Sequence, residues 1–495
     1  MNISRRKLLS FAGASAAGIT MLAPLEAFYA RVARGQSTSG VGYGPLTPKL
    51  PLNASELTNT YVGDLSNEPI LALPDGFNYR VLSMTGMTMS DGTLVPAGHD
   101  GMAAFRGPGN TTILVRNHEL TSSSTYPVVG ATRYSDGAAL GGTTTVVVGP
   151  NRKVQKDFVS IAGTRTNCAG GPTPWGSWIT CEETFSTSTN SAGVAVRHGY
   201  NFEVVADAES GIVTPVPLVA MGRFSHEAVA VDPATGYIYE TEDRGDSCFY
   251  RFVPAQRITA PGQLAAVGGT LYALKIKNGP QNTTNNSTQG GVPGAIAVGQ
   301  TFDVEWVQIN NVDPSSESSS SRSGVRYEAQ DQGAAIFFRG EGCWYGNGKI
   351  YFVATQAGPT AIVNGVPASN GRGNGQVWVY DPAAEKLTLV VEASSSGELL
   401  DEPDNVTVTP FGDLFLCEDS SDDFQYIVGV TPSGELYQFA KNVIFSQTTD
   451  STLSGFVGNE FAGACFSPDG RTLFVNIQTP GITFAIWGPW SANRG

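Results

Sequence analysis

The sequence predicts an all-β fold, a six-bladed β-propeller with a central metal-binding channel and a long polar insertion. Three observations favour it: many turn-forming residues with few charges, six copies of a short strand with a polar end, and near-equal spacing of those copies. The 495 residues include 59 Gly and 29 Pro, 41% are apolar and 15% are charged. This composition disfavours a helical bundle and is typical of short strands joined by turns. The apolar fraction also excludes wholesale disorder.

The first element, residues 1–36, is predicted to be a targeting segment outside the fold. Arg5 and Arg6 stand in an S-R-R-K-L-L pattern before a weakly apolar stretch that is too short to span a bilayer. The pattern is typical of a twin-arginine export signal, and an ordinary secretory signal with two chance arginines is the alternative. We therefore expect residues 37–495 to form one propeller domain. It would be exported by the twin-arginine translocon and be periplasmic or secreted.

Six later segments share a turn, a short apolar strand and polar residues at the end of that strand. They end at Glu119, Glu183, Asp243, Gln356, Asp419 and Gln478. The ends recur about every 60 residues, a period typical of propeller blades with about four strands each. One gap is about twice as long and contains residues 278–323, whose Asn- and Ser-rich composition predicts a long insertion. A large β-sandwich or two packed barrels are the alternatives.

Equivalent strand ends of different blades meet in the central channel of a propeller. The residues predicted to meet there are Asn117, Glu119, Glu182, Glu227, Glu242, Glu341, Asp404, Asn405, Asp419 and Glu460. Carboxylates in a channel of low dielectric constant repel one another unless cations neutralise them. Their oxygens suit Ca²⁺, and the thiol of Cys181 would add a soft donor for a transition metal such as iron. The alternative is that each acid is an ordinary turn residue.

Charge gives two further indications about the partner. The net charge of −14 disfavours nucleic acid, which requires a basic face. Arg339 stands two residues before Glu341, so both side chains would lie on one face of a strand. An arginine beside a cation-loaded site can bind a phosphate dianion, whereas a salt bridge to a neighbouring acid is the alternative.

Several motifs resemble the PhoX-type alkaline phosphatases of bacteria. They are the twin-arginine segment, RNHE at 116–119, PWGSWITCEE at 174–183, GRFSHEAVAVD at 222–232, FRGEGCWY at 338–345, EPDNVTVTPFGDLFLCED at 402–419 and FSPDGRTLFVNIQTPG at 466–481. The resemblance spans roughly residues 50–490, and W-G-[ST]-W-x-T-C-E-E is its most specific mark. It implies a six-bladed propeller that is a monomeric, exported phosphomonoesterase using calcium together with ferric iron (Fe³⁺).

The resemblance also implies roles for individual residues. Cys181 is expected to be a thiolate ligand to iron rather than a nucleophile, with Glu227 and Glu341 as carboxylate ligands. Arg339 is expected to bind the phosphate of a small phosphate ester. Further ligands are expected among Asn117, Glu119, Asp404, Asn405 and Glu460. The implied reaction is metal-assisted phosphoryl transfer. A calcium-dependent lactonase or phosphotriesterase-type propeller and a non-catalytic, calcium-stapled binding propeller are the alternatives.

Overall fold

The computed structural model describes residues 41–135, 137, 139–190, 192–209, 211–363, 365–393, 399–446 and 453–490. The predicted export signal lies outside these residues. Short helices within them are α1 (Leu264–Val267), α2 (Val325–Asp331) and the 3-10 turns Ala54–Glu56, Pro108–Asn110, Val219–Met221, Ser287–Gln289 and Ser454–Phe456. In this part of the chain, no helix combines the length and the apolar character needed to cross a membrane.

Strands make up most of the regular structure, as the composition predicts. The first are β1 (Thr47–Lys49), β2 (Thr58–Asn59), β3 (Gly63–Asp64), β4 (Leu71–Leu73), β5 (Asn78–Met84), β6 (His99–Arg106), β7 (Thr112–His118), β8 (Gly141–Val148) and β9 (Val154–Thr164). They are followed by β10 (Asn167–Pro172), β11 (Ser177–Glu182), β12 (Thr187–Thr189), β13 (Ala195–Arg197), β14 (Asn201–Val205), β15 (His226–Val231), β16 (Ile238–Glu242), β17 (Tyr250–Pro254), β18 (Gly269–Ile276) and β19 (Thr301–Gln308). The last are β20 (Gly340–Gly346), β21 (Lys349–Ala354), β22 (Ile362–Val363), β23 (Val366–Pro367), β24 (Gln376–Asp381), β25 (Lys386–Glu392), β26 (Pro403–Val408), β27 (Leu414–Glu418), β28 (Tyr426–Val430), β29 (Leu436–Asn442), β30 (Phe461–Phe466), β31 (Leu473–Ile477) and β32 (Ile482–Trp487).

Antiparallel pairing of these strands gives a propeller-like, all-β arrangement. The large sheets have the orders β6-β7-β8-β9, β10-β11-β14, β15-β16-β17-β18-β19-β25-β24-β21-β20, β1-β4-β29-β28-β27-β26 and β30-β31-β32-β5. The expectation of six separate four-stranded blades therefore needs correction. The strands β19 and β25 pair and merge two predicted units into one nine-stranded sheet, and another unit has three strands.

The strand that merges the two units lies within the predicted insertion, residues 278–323. This insertion contains β19, which pairs with β18 over Val304–Gln308 and with β25 over Thr301–Asp303. The insertion is thus partly a strand that extends one sheet toward its neighbour, and only its remainder is turn and loop.

The strands β6, β10, β15, β20, β26 and β30 lie innermost, because each packs against the next and β30 packs against β6. Small residues allow this close approach. A Cβ atom on Gly342 of β20 would lie 2.7 Å from the carbonyl oxygen of Asp404 on β26. The chain ends close the ring, since β5 pairs with the last strand, β32, from Met84–Ile482 to Asn78–Trp487. Apolar clusters between the sheets form the core, which leaves the polar residues of the innermost strands around the axis.

Candidate metal centre

A β-bulge interrupts the pairing of each innermost strand in the described part of the chain. The register shifts fall between His99 and Met102, Asn167 and Gly170, His226 and Val229, Gly340 and Cys343, Pro403 and Val406, and Ala462 and Cys465. A bulge breaks the alternation of side chains and re-aims one of them. The first residues inside the bulges are Asp100, Cys168, Glu227, Glu341, Asp404 and Gly463. Five bulges therefore present a carboxyl or thiol group at one level of the ring.

A second set of polar residues follows the strands next to the innermost ones. Glu119, Glu183, Asp243, Asp419 and Gln478 come directly after β7, β11, β16, β27 and β31. Together with four of the bulge residues they enclose a cavity of about 410 Å³, which we call the axial cavity. It is lined by Glu119, Cys168, Glu183, Glu227, Asp243, Arg339, Glu341, Asp404, Asp419, Gly458, Asn459, Glu460 and Gln478.

Ligand atoms in and beside this cavity are close enough to share cations. In each of three groups, one ligand atom per residue lies within 4.8 Å of the others. The groups are Asp100 with Glu119 and Cys168, Cys168 with Glu183 and Glu227, and Glu227 with Glu341 and Asp404. Because Cys168 and Glu227 each belong to two groups, the three candidate positions form one continuous cluster.

Unpartnered oxygens give an independent test of whether a metal fits. Both carboxylate oxygens of Glu227 and Oδ1 of Asp404 are buried without a hydrogen-bond partner. A buried carboxylate without a partner is strongly unfavourable unless a proton or a cation neutralises it. Carboxylate oxygens are ligands for calcium, and the thiolate of Cys168 suits a softer metal such as iron. The residues present therefore fit a mixed centre of hard and softer metals.

The electrostatics of the cavity favour positive charge. Burial, followed by repulsion from Glu341, raises the pKa of Glu227 well above its usual value. Burial and the Asp419 carboxylate raise the pKa of Asp404 to about 7, and the same two causes raise that of Glu119 to about 7. These carboxyl groups take up protons readily when no cation is bound, so cations and protons compete for the same oxygens.

Arg339 is the one basic side chain among the described residues that line the cavity. Its Nε and Nη2 donate to Oδ1 and Oδ2 of Asp243 at 2.8 and 2.9 Å, and Nη2 lies 2.9 Å from Oε1 of Glu341. Burial alone would lower the pKa of Arg339, but Glu341 and Asp243 together raise it. The salt bridge considered as an alternative is thus present, and the guanidinium also faces the axial cavity.

Most of the predicted site residues meet at this cavity. Glu119, Glu227, Glu341, Asp404, Glu460 and Arg339 all line it. Asn117 instead lies behind the wall. Its Nδ2 donates to the carbonyl oxygens of Cys168 and Ala169 at 2.9 and 2.6 Å, and its Oδ1 accepts from Nε1 of Trp178 at 2.8 Å. It therefore supports the bulge that carries Cys168 and is no ligand in this geometry.

Asn405 likewise serves the neighbouring backbone. Its Oδ1 accepts from the backbone N–H of Gly463 at 2.7 Å, and its Nδ2 donates to Oδ2 of Asp404 at 3.2 Å. The amide thus ties β26 to β30 and orients the Asp404 carboxylate. Asn405, which the sequence predicted as a further ligand, therefore supports Asp404 in this structure.

The structure does not bring Cys181 to the cavity. This side chain is fully buried on β11 and packs in an apolar cluster with Ile179 and Phe224. The adjacent Glu182 also points away, because its Oε1 lies 2.7 Å from Nδ1 of His198. The thiol at the cavity belongs to Cys168, on the strand that pairs with β11.

Sequence reasoning did not select Asp100, Cys168, Glu183, Asp243 or Gln478 as site residues. Three of these end predicted repeat segments, so strand-end position already pointed to them. A second signal in the sequence is a polar residue followed by a small one. Four bulges show it, Asp100-Gly101, Cys168-Ala169, Glu227-Ala228 and Glu341-Gly342, whereas the fifth reads Asp404-Asn405.

The fold and the cavity define a propeller-like, all-β protein with an acidic, thiol-containing site at its axis. A family model described as alkaline phosphatase PhoX matches residues 59–481. The chain therefore belongs to the PhoX alkaline phosphatase family and is a hydrolase of phosphate esters, as its motifs predicted.

Two solved structures show what the chain is similar to. Pseudomonas fluorescens PhoX in complex with vanadate, a transition-state analogue, has 19% sequence identity and a TM-score of 0.60, covering 91% of this chain and 98% of that one. A gluconolactonase from Xanthomonas campestris has 11% identity and a TM-score of 0.36, covering 90% and 99%. Comparison with curated proteins gives no match. The first similarity supports the propeller-like fold.

Proposed function

We propose that this phosphatase hydrolyses phosphate monoesters in the axial cavity, with calcium and ferric iron held by its carboxylates and by Cys168. The observation that carries the metal proposal is the buried, unpartnered state of both Glu227 oxygens and of Asp404 Oδ1. Glu341 lies in one group with Glu227 and Asp404, and Glu119 lies in another with Cys168. Cys168 takes the role that the resemblance implied for Cys181.

The chain's own residues would bind and orient the ester in that cavity. Bound calcium and iron would supply Lewis-acid chemistry and neutralise the charge of the transferring phosphoryl group. Arg339 has a planar set of N–H donors that can bind two phosphate oxygens while Asp243 keeps the guanidinium oriented. Nε2 of Gln478 donates to Oε2 of Glu119 at 2.7 Å and to Oδ2 of Asp100 at 2.9 Å, which fixes both carboxylates.

We also propose that residues 37–495 form one monomeric propeller domain that reaches the periplasm or medium through the twin-arginine translocon. The paired Arg5 and Arg6 support export in a folded state. The ring formed by β6, β10, β15, β20, β26 and β30 supports a single propeller domain.

The experiment is phosphate release from p-nitrophenyl phosphate by protein exported in its folded form. Turnover should require calcium, stop with the chelator EGTA and return when calcium is restored, and elemental analysis should find iron in active protein. A lactone and a phosphotriester serve as comparison substrates. Turnover that EGTA leaves unchanged would refute the calcium proposal, and a preference for the lactone or triester would refute the monoester assignment.

A further inference from the structure

We infer that Arg326, on helix α2, is a positioning residue for Arg339, because it holds the loop from which Arg339 takes its orientation. This loop, residues 243–247, follows β16 and carries Asp243 into the axial cavity. The inference rests on the proposed role of Arg339 in binding phosphate, and it adds a residue outside the cavity to that site.

The loop determines how Arg339 is presented to the cavity. Its guanidinium makes two bonds to the Asp243 carboxylate, and its backbone N–H donates to the carbonyl oxygen of Arg244 at 2.9 Å. Arg339 also has a φ of 56°, in the left-handed region that a residue with a side chain occupies at a cost. Such a conformation persists where surrounding contacts impose it, and here residues 243 and 244 supply those contacts.

Helix α2 holds the other side of the same loop. Nε of Arg326 lies 2.8 Å from Oδ1 of Asp246, and Nη1 lies 3.2 Å from Oε1 of Glu242, the last residue of β16. Nε2 of Gln330, one turn further along the helix, donates to the carbonyl oxygen of Asp246 at 2.6 Å. The Arg326 side chain is only 7% exposed and Glu242 is fully buried, so the Arg326–Glu242 pair is shielded from water, whereas Asp246 is partly exposed. Shielded, hydrogen-bonded charge pairs are stronger and more directional than surface pairs.

Glu317, in the polar insertion, connects the helix to the cavity through a second route. Its Oε2 lies 2.8 Å from Nη1 of Arg326, and its Oε1 lies 3.1 Å from Nε of Arg244. Nη1 of Arg244 in turn donates to the carbonyl oxygen of Asp243 at 3.0 Å. A continuous series of charged contacts therefore runs from α2 through the loop to the residue that orients Arg339. The insertion and the helix behind it thus brace the phosphate-binding side of the cavity.

Two variants weaken this brace without emptying a buried position. Asp246→Asn removes one charge from a side chain that is 41% exposed and keeps its shape, so the variant should fold. Arg326→Lys keeps the charge but cannot satisfy Glu242, Asp246 and Glu317 together. Asp331→Asn is the matched control, because Asp331 ends the same helix and the change breaks its exposed ion pair with Arg322 without touching the loop.

The measurements are the dissociation constant of inorganic phosphate by calorimetry, KM and kcat for p-nitrophenyl phosphate, metal content and thermal midpoint. Asp246→Asn and Arg326→Lys should raise KM and the phosphate dissociation constant about 10-fold, the size typical of lost outer-shell support. Metal content should stay at the wild-type level, and Asp331→Asn should match wild type in phosphate binding.

Unchanged phosphate binding in both variants, with or without a lower thermal midpoint, would overturn the inference and leave Arg326 as a structural residue. Loss of metal in parallel with phosphate binding would overturn it as well. Failure of the proposed function is separately visible, because wild-type protein would then release no phosphate. The calorimetric comparison decides the role of Arg326 in that case too.

Discussion

Two buried cysteines on neighbouring strands have opposite surroundings. Cys168 lies in a bulge with its Sγ among the carboxylates of Glu183 and Glu227, whereas Cys181 packs against the apolar side chain of Phe224. Burial raises the pKa of both thiols, and for each the nearby carboxylates raise it further. Of the two thiols, only that of Cys168 has carboxylate neighbours at a spacing that a shared cation could use. The raised pKa does not prevent this role, because a metal-bound thiol is deprotonated by the metal itself.

We therefore expect Cys168→Ser and Cys181→Ala to fail in different ways. Cys168→Ser should lose iron and phosphatase activity while it keeps the fold. Cys181→Ala should keep both and lose about 1 kcal/mol of unfolding free energy, because it only removes buried volume. Elemental analysis, phosphate release and urea unfolding measure these quantities. Full iron content in Cys168→Ser would contradict the assignment.

Arg339→Ala tests the phosphate-binding arginine directly. Loss of charge-assisted hydrogen bonds of about 1.5–3 kcal/mol should raise KM for a phosphate monoester at least about 10-fold. Metal content should stay unchanged, because the ligand oxygens belong to other residues. Lys156→Ala, which removes an exposed cation paired with Glu209, is the control. If Arg339→Ala loses metal and Lys156→Ala does not, Arg339 supports the metal centre and is not a phosphate-binding residue.

The sequence predicted Glu227, Glu341 and Asp404, which line the cavity, but it selected Cys181 rather than Cys168, the thiol that lines it, and the bulges explain why. On a regular strand such as β11, alternate residues share a face, so Cys181 lies with Ile179 in the apolar core. A bulge breaks that alternation, and sequence periodicity no longer tells which face Cys168 occupies. Acids at the ends of strands can be predicted without knowing which face they occupy, because their position at the strand end brings them to the axis.

Among the strands, the close approach of β20 and β26 depends on a glycine. A Cβ atom on Gly342 would lie 2.7 Å from both the Asp404 carbonyl oxygen and the Val406 amide nitrogen, so β20 and β26 can meet there only with glycine. Both strands carry a proposed ligand beside this contact, Glu341 and Asp404. Spacing between the two strands therefore sets the spacing between two carboxylates.

Gly342→Ala should destabilise the fold and the metal centre together. Forcing β20 and β26 apart should cost about 2–3 kcal/mol of unfolding free energy and weaken calcium binding. Denaturant unfolding and calcium titration by calorimetry give the two values. Gly211→Ala is the control, because no atom lies within 4 Å of the added Cβ, and it should change stability by less than about 0.5 kcal/mol. Normal calcium affinity in Gly342→Ala would show that the contact does not set ligand spacing.

The strand β19 was not predicted from the sequence. Its residues alternate, with Phe302, Val304 and Trp306 on the apolar face and Asp303 and Glu305 on the other. That period of two is typical of a half-buried strand. The Asn- and Ser-rich stretches around it dominated the composition and predicted a long polar insertion. Local alternation was the stronger signal, because it reports burial directly.

At the scale of the described molecule, each of the five large sheets has a carboxylate on one of its strands, or directly beside one, that lines the axial cavity. The net charge is −14, and within the described lining Arg339 is the only opposing side-chain charge. Cations bound there would link all five sheets. Chelation should therefore lower the thermal midpoint of the entire domain by about 3 °C, reversibly on return of calcium, as expected for a ligand at about 100 times its Kd. A midpoint unaffected by chelator, measured by calorimetric scanning, would contradict this coupling.

Glu227→Gln should raise the thermal midpoint of the metal-free protein and lower that of the calcium-bound protein. Folding raises the pKa of Glu227, so at pH 8 the metal-free fold loses stability to this carboxyl, and the loss shrinks as the pH falls toward its unfolded pKa. The neutral amide removes that loss, and the metal-free midpoint should rise. With calcium the same change removes a ligand, and the midpoint should fall. Glu209→Gln, with its side chain 82% exposed, should alter neither. Only a charged group that cations neutralise can reverse its effect on stability when the cations bind. If Glu227→Gln shifts the thermal midpoint in the same direction with and without calcium, Glu227 therefore contributes packing, not charge, to the centre.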